Sequence, residues 1–291
     1  MQRRTLLGAA AGAVAAGALG PMAQAAPTPS RIKQGLWKIN FGAAPKMTFD
    51  EMCAFAAPLG VKGFDIIGPE EWPILRKHGM QPLLVRPDGI DYLTGAIHPE
   101  AHDKVVHEMG LLTEVCKKGG AKLIALNAGE LRGLSYKAAA DNAVALLKRL
   151  APIMEASGCE ISMENVNDRR GDDADLARKD MAFGHWDWGL EVVSRVNSPN
   201  IRLLCDIYHL QIMDGDVSWR LKRDINWINH MHVAGVPTRK EIDAGQELNF
   251  RYIAGVIASL PYEGYVCHEW RLTPGRDYKK SIAEALAIMN A

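Results

Sequence analysis

Eight short apolar runs alternate with stretches of helical periodicity, and this alternation constrains the fold more than any other feature of the chain. The predicted strands cover residues 35–40, 63–67, 81–85, 122–127, 160–164, 201–206, 228–233 and 264–269. A predicted helix, with apolar residues at helical spacing, follows each strand. Parallel strands with helical crossovers form either a closed (β/α)₈ barrel or a doubly wound sheet, both of them α/β folds. Eight units favour the single barrel.

Four of these strands end in side chains that commonly bind metal ions. Asp206 closes the sixth apolar run, and His209 lies three residues further on. Glu164, His232 and Glu269 stand at the ends of the fifth, seventh and eighth runs. An unpaired carboxylate at the end of a buried strand is costly unless a cation balances its charge. Because parallel strands of a barrel end at one mouth, we expect the four side chains to meet there.

Three carboxylates and one imidazole form a mostly hard ligand set, which suits Mn²⁺ or Mg²⁺, with Co²⁺ or Zn²⁺ as alternatives. A structural zinc site would more commonly use cysteine thiolates at short spacing. The chain has five cysteines and no C-x-x-C pair, and we predict that all five are small buried apolar side chains: Cys53, Cys116, Cys159, Cys205 and Cys267. The sequence therefore predicts a catalytic divalent cation.

Ligands from separate strands leave room for the oxygens of a substrate. A divalent cation polarises a carbonyl and stabilises an enediolate, and two flanking carboxylates can remove a proton at one carbon and return it at the next. Each ligand also has a simpler interpretation. Glu164 could pair with Arg169 or Arg170, Asp206 could cap a helix, and His232 could be a hydrogen-bonded core histidine. We expect His230 in the seventh strand and His268 in the eighth to be hydrogen-bonded core histidines.

Residues 1–25 have the features of a signal peptide that directs export. Arg3 and Arg4 precede a weakly apolar run rich in alanine and glycine, and an A-x-A sequence follows at 23–25. Adjacent arginines are typical of the twin-arginine route, which predicts a periplasmic or otherwise exported protein. An uncleaved membrane anchor is the alternative. The low hydrophobicity of alanine and glycine and the break at Pro21 argue against it.

The remaining chain, residues 30–291, is long enough for one large barrel domain. The whole chain has 34 basic and 34 acidic residues, and removal of Arg3 and Arg4 with the signal peptide leaves 32 basic residues, so no excess of positive charge suggests a nucleic-acid or anionic-membrane partner. We expect a small carbohydrate or keto acid as the partner, and nothing in the sequence predicts an oligomeric state. The loops at 87–100, 165–185 and 235–249 are long, as substrate-covering loops often are.

These residues resemble the hydroxypyruvate isomerase branch of the xylose isomerase-like TIM barrels, which also includes ketose 3-epimerases and inosose dehydratase. The resemblance covers about residues 35–290 and rests on five motifs: Met163-Glu164-Asn165, Asp206-Ile207-Tyr208-His209, His232-Val233-Ala234-Gly235, Glu247-Leu248-Asn249-Phe250 and His268-Glu269-Trp270.

The resemblance implies roles for individual residues. A divalent metal would be bound by Glu164, Asp206, His232 and Glu269. The two glutamates would also be the catalytic acid and base. Three further residues would contact the substrate, namely His209, Arg239 and Glu247, the last of which lies in the loop motif before the seventh helix.

Three features depart from the resemblance. Hydroxypyruvate isomerases tend to have glutamine where this chain has His232, whereas the epimerases have histidine. The second strand runs into Ile66-Ile67-Gly68 where many relatives have a glutamate, and an export signal is unusual for a cytoplasmic metabolic enzyme. The resemblance is therefore a better guide to the reaction mechanism than to the identity of the substrate.

Our prediction is a divalent-metal-dependent isomerase or epimerase of a small sugar or hydroxy-keto acid. One alternative is an exported lyase or hydratase that uses the same site on an oxidised (3-keto) sugar or glycoside. Another is a non-catalytic periplasmic sugar-binding protein, although a binding protein needs no paired acid and base. A related barrel endonuclease would need more histidine and acidic ligands and a basic DNA-facing surface, which the sequence does not show.

Overall fold

A computed structural model of the chain describes residues 31–43, 45–169 and 180–291. Eight parallel strands pair in sequence order, and the last pairs with the first, so that the sheet closes into a barrel. The strands are β1 (Lys33–Leu36), β2 (Gly63–Asp65), β3 (Gln81–Val85), β4 (Leu123–Asn127), β5 (Glu160–Glu164), β6 (Ile201–Asp206), β7 (Ile228–Val233) and β8 (Tyr265–His268). The predicted (β/α)₈ barrel is confirmed.

The helices lie between the strands. They are α1 (Phe49–Ala56), α2 (Trp72–Lys77), α3 (His102–Gly119), α4 (Tyr136–Ser157), α5 (Trp186–Val196), α6 (Ile207–Met213), α7 (Val217–Asp224), α8 (Phe250–Ser259) and α9 (Tyr278–Ile288). The start of α1 shows how the sequence sets these bounds. The Thr48 hydroxyl accepts a hydrogen bond from the Glu51 amide, and the Glu51 carboxylate accepts one from the Thr48 amide.

The first two strands end earlier than the sequence predicted. After β1, the Asn40 side chain accepts a hydrogen bond of 2.7 Å from the Trp37 amide, and the chain turns into a 3₁₀ helix. The second strand was predicted to reach residue 67, but Ile66 has a φ of 54° and leaves the sheet. Consequently Asp65, and not an isoleucine, is the last residue of β2.

The region after β6 contains an element that periodicity did not reveal. α6 starts directly at the end of the strand and is only seven residues long, too short to show a clear apolar repeat. The next helix also starts earlier than expected, at Val217 and not at Trp219. As a result, Asp206, the last residue of β6, lies at the N-terminus of α6.

Most of the apolar core lies between the strands and the surrounding helices, where Phe64, Trp186 and Trp270 are among the largest fully buried side chains. A smaller cluster forms apart from it: Leu84, Leu123, Ala125 and Leu204. All five cysteines are buried and free, as predicted. This packing holds the strand ends in fixed positions.

Among the described residues, no helix combines the length and apolar character needed to cross a bilayer. The predicted signal peptide at 1–25 lies outside the described residues, as does Arg170. The signal peptide and the domain boundary at residue 30 therefore stay predictions.

Candidate metal centre

Four side chains converge at the carboxyl end of the barrel. Glu164 and Asp206 are the last residues of β5 and β6, His232 is in β7, and Glu269 directly follows β8. Each offers one possible ligand atom, and these four atoms all lie within 4.8 Å of one another. The Nδ1 atom of His232 is 3.1 Å from Glu269 Oε2 and 3.4 Å from Glu164 Oε1. The structure thus brings together the four residues that the strand ends predicted.

Three polar atoms of this cluster are buried and form no hydrogen bond, although they make charge contacts within the cluster, namely Asp206 Oδ2, His232 Nδ1 and Glu269 Oε2. Such atoms are rare in native proteins, and a bound ion is one of the few explanations for them. A divalent cation would take a lone pair from each. Three carboxylates and one imidazole suit Mn²⁺ or Mg²⁺, and also Co²⁺ or Zn²⁺. The side chains present therefore fit a divalent metal.

The backbone around Asp206 fixes its carboxylate. Asp206 Oδ1 accepts hydrogen bonds from the amides of Tyr208 and His209, at 2.8 and 3.4 Å, and so caps α6. The Asp206 amide donates to Asn165 Oδ1, and the Asn165 amide group donates back to the Asp206 carbonyl. One carboxylate oxygen thus serves as the helix cap, and the other faces the cluster. The capping and ligand interpretations are compatible.

Glu164 is oriented by its neighbour on β4. The Asn127 side chain donates to Glu164 Oε2 at 3.1 Å, which leaves Oε1 directed at the imidazole in the cluster. The guanidinium of Arg169, considered above as a partner of Glu164, donates to the carbonyl oxygen of Pro237. Asn127 therefore helps to fix the orientation of the Glu164 carboxylate.

The charges in the cluster shift the pKa values of its members. Burial raises the pKa of Asp206 well above its ordinary value, and the Glu269 carboxylate raises it further. Burial alone would raise the pKa of Glu269, but Arg239 and His232 outweigh burial and hold it well below its ordinary value. Burial would lower the pKa of His232, but the carboxylates of Glu269, Asp65 and Glu164 together outweigh burial, so this pKa lies well above its ordinary value. Protons would therefore compete with a bound cation for the same atoms.

The structure places the three predicted substrate-contacting residues differently. His209 Nε2 lies 3.3 Å from Asp206 Oδ2, at the edge of the cluster. Arg239 Nη2 lies 2.5 Å from Glu269 Oε1 and 4.0 Å from Asp206 Oδ2. Glu247 is exposed, and its carboxylate accepts a hydrogen bond from a side chain of α6. His209 and Arg239 thus join the cluster, while the role of Glu247 stays a prediction.

Sequence reasoning missed Asp65 and Asn127. Asp65 Oδ2 lies 2.9 Å from His232 Nε2, behind the cluster. Because the second strand was predicted to run to residue 67, Asp65 did not count as a strand end. Asn127 closes β4 and could have been found by the rule that found Glu164. Each residue contacts one of the predicted ligands: Asp65 contacts His232, and Asn127 contacts Glu164.

His268 has the core role that the sequence predicted for it. Its Nε2 lies 2.9 Å from Gln34 Oε1, and its Nδ1 accepts a hydrogen bond from Trp270 Nε1. Burial lowers the pKa of His268 to about 3, so the ring is neutral over the physiological range. This histidine is thus distinct from His232, although the two lie on adjacent strands.

A cavity of about 270 Å³ adjoins the cluster and is lined by Arg86, Asp88, Tyr92 and Asn127, among others. Asn127 connects it to Glu164 through the hydrogen bond described above. Small-molecule pockets begin at roughly this size, about 300 Å³. A larger cavity of about 410 Å³ lies at the opposite end of the barrel, beside the first residues of β3, β5 and β8. None of the four cluster side chains lines either cavity, but the smaller one contains Asn127, the hydrogen-bond partner of Glu164.

Comparison with known proteins gives two kinds of relative. A 2-oxo-tetronate isomerase from Cupriavidus necator is 38% identical over 120 residues, which are 41% of this chain and 43% of the relative. A Danio rerio protein that carries a provisional hydroxypyruvate isomerase name is 32% identical over 131 residues, 45% of each chain. The matched part thus spans less than half the length of these curated relatives.

The solved structure of a family 2 AP endonuclease from Brucella melitensis superimposes with a TM-score of 0.74. It covers 88% of this chain and 98% of its own at 22% sequence identity, so the likeness concerns the fold. The family model for xylose isomerase-like TIM barrels matches residues 72–291. That match includes all four side chains of the cluster, and the closed barrel agrees with it. The chain belongs to the xylose isomerase-like TIM barrel family.

Proposed function

We propose that the protein is a divalent-metal-dependent isomerase or epimerase of a small sugar or hydroxy-keto acid. The observation that carries the proposal is the position of two glutamates next to the same imidazole nitrogen. Glu164 Oε1 and Glu269 Oε2 both approach His232 Nδ1, and all the possible ligand atoms lie within 4.8 Å of one another. Such a cluster has both the ligands and the paired acid and base that this chemistry needs.

A bound divalent cation would polarise the substrate carbonyl and acidify the neighbouring C–H. Glu269 or Glu164 then takes the proton from that carbon. The other glutamate, which must be protonated at the start, gives its proton to the adjacent carbon in an isomerisation or to the opposite face of the same carbon in an epimerisation. In an isomerisation the substrate's hydroxyl proton also passes to the former carbonyl oxygen. Arg239 keeps Glu269 ionised and therefore able to act as a base. The near-complete burial of the cluster keeps bulk water from the reacting atoms.

The relatives favour a hydroxy-keto acid as substrate. They are named for 2-oxo-tetronate and hydroxypyruvate, both small hydroxylated 2-oxo acids. The cavity of about 270 Å³ beside the cluster is of a size for such molecules. Its lining is mixed in charge, with Arg86 beside Asp88, as expected for a ligand that has both a carboxylate and hydroxyl groups.

The test is a turnover assay with controlled metal content. We expect the protein to convert hydroxypyruvate or a 2-oxo-tetronate, to lose this activity after chelation and to regain it with Mn²⁺ or another divalent cation. Ketoses and 3-keto-glycosides complete the substrate panel. Elimination products from the 3-keto-glycosides alone would favour the lyase alternative. Saturable binding without any conversion would contradict the enzyme proposal and favour the binding protein.

We further propose that the protein is exported through the twin-arginine route. The support is the arginine pair followed by a weakly apolar run and an A-x-A sequence. The mature chain should begin near Ala26 and be found outside the cytoplasm. Replacing Arg3 and Arg4 together with lysine should retain the protein in the cytoplasm, as measured by cell fractionation. Normal export of this double variant would contradict the route.

A further inference from the structure

Behind the cluster, inside the barrel, one carboxylate contacts two imidazoles. Asp65 Oδ2 lies 2.7 Å from His230 Nε2 and 2.9 Å from His232 Nε2. All three side chains are almost completely buried. They are contributed by β2 and β7, which are separated in the closed barrel by β1 and β8. The carboxylate thus contacts, from a non-adjacent strand, the imidazole that also belongs to the candidate metal centre.

We infer that Asp65 is a positioning residue that sets the tautomer and the orientation of His232 for metal binding. This inference rests on the proposed function, because it requires His232 to be a ligand. A neutral imidazole has one N–H and one lone pair. A histidine must be neutral to bind a metal, so the cation would displace the proton from one ring nitrogen. If Nε2–H then donates to Asp65, the lone pair is on Nδ1, the atom that faces Glu164 and Glu269.

His230 makes this arrangement rigid. A carboxylate with one partner can rotate about its last bond, whereas the second imidazole holds Asp65 Oδ2 in place. The backbone contributes as well, because Ile66 leaves the sheet with a φ of 54° and ends the strand at Asp65. Carboxylate–histidine pairs behind a metal raise the basicity of the ligand and fix its ring. The geometry found here has both features.

The same region contains a second possible arrangement. Asp65, His230 and Cys267 each offer a ligand atom, and these atoms also lie within 4.8 Å of one another. A cation there would compete for the carboxylate oxygen that both imidazoles use. The two hydrogen-bond distances, 2.7 and 2.9 Å, are those of N–H···O bonds. We therefore assign Asp65 and His230 the role of positioning His232, and not of binding a second cation. We expect one cation per chain.

The experiment measures Co²⁺ binding by two full-length proteins, the wild type and the Asp65→Asn variant. Asp65→Asn keeps the shape of the side chain but removes the charged acceptor, and we expect Co²⁺ affinity to fall about 10–100-fold. The control is Asp224→Asn. Asp224 is also a buried carboxylate, but it binds Trp186 Nε1 and Arg223 away from the centre. Its replacement should leave Co²⁺ affinity and the visible Co²⁺ spectrum unchanged.

The outcomes separate the two proposals. No Co²⁺ binding by the wild-type chain would overturn both. Binding by the wild type with an unchanged affinity in Asp65→Asn would overturn only the role of Asp65. A third outcome is two Co²⁺ per chain with a thiolate charge-transfer band that is abolished in Cys267→Ser. It would show that Asp65, His230 and Cys267 bind a second metal, and it would overturn the positioning role of Asp65.

A measurement on the wild type covers the case in which Asp65→Asn does not fold. In the Zn²⁺-loaded protein, imidazole ¹⁵N spectra should show a proton on Nε2 of His232 and the metal on Nδ1. The reverse arrangement would overturn the inference.

Discussion

Replacing Glu269 with glutamine is expected to lower kcat about 10²–10⁴-fold even at saturating metal, the range contributed by a positioned acid or base. Glutamine keeps an oxygen ligand and nearly the same shape, but it cannot accept a proton. The wild-type carboxylate is held ionised by Arg239 and His232, so the variant removes a base and not a neutral acid. The measurement is kcat at increasing Mn²⁺ concentration for the wild type and the variant. Glu164→Gln should behave in the same way.

Asp206→Asn is the matched control because Asp206 is a ligand in the same cluster without a proton-transfer role in the proposed mechanism. Its replacement should mainly weaken metal affinity, so that excess metal recovers much of the rate. If excess metal instead restores both glutamine variants, neither glutamate is the base. The proton would then have to move through another group, such as His209, which lies 3.3 Å from Asp206.

Trp186→Ala is expected to cost about 3–5 kcal/mol of unfolding free energy, the range for removing a buried aromatic side chain. Trp186 begins α5 and is 1% exposed. Its Nε1 donates to Asp224 Oδ2 at 2.8 Å, and its ring lies 5.9 Å from that of Phe183. Alanine would leave a cavity and would take one partner from a buried carboxylate. Urea unfolding monitored by circular dichroism measures the difference.

Trp219→Ala is the control for residue type. Trp219 lies on α7 with 49% of its surface exposed, and the Arg223 guanidinium sits 4.5 Å from its ring centre. An exposed cation–π contact contributes about 0.5–1 kcal/mol, so the loss should not exceed roughly 1 kcal/mol. Equal losses for the two tryptophans would show that burial of Trp186 does not stabilise the fold as described.

The long strands and the four strand-end ligands could be predicted because each feature is local in the sequence. The run that ends at Asp206 is mostly apolar and has the same bounds in the structure, 201–206. The start of α5 at Trp186 was also predicted correctly. In such segments, periodicity and a final polar residue carry the information.

The parts that were missed depend on contacts between distant segments or on single backbone angles. Asp65 reaches His232 only because the barrel closes and leaves only two strands between β7 and β2, and the contact spans 167 residues of sequence. The early end of β2 depends on the positive φ of Ile66, a conformation that a β-branched residue rarely adopts. α6 is too short for its periodicity to show. The Asp65 contact and the φ of Ile66 have no local pattern from which they could be read, whereas Asn127 at a strand end and the Asp206 cap of α6 are local signals that were not used.

The most direct test of the central claim is solvent deuterium exchange by the metal-loaded protein. The protein would be incubated in D₂O with hydroxypyruvate, a 2-oxo-tetronate, ketoses or 3-keto-glycosides, and the recovered compounds analysed by mass spectrometry and proton NMR. The account predicts deuterium at the carbon next to the carbonyl, metal-dependent, and reduced about 10²-fold or more in Glu269→Gln. Absence of exchange with every compound, despite one bound cation per chain, would contradict it.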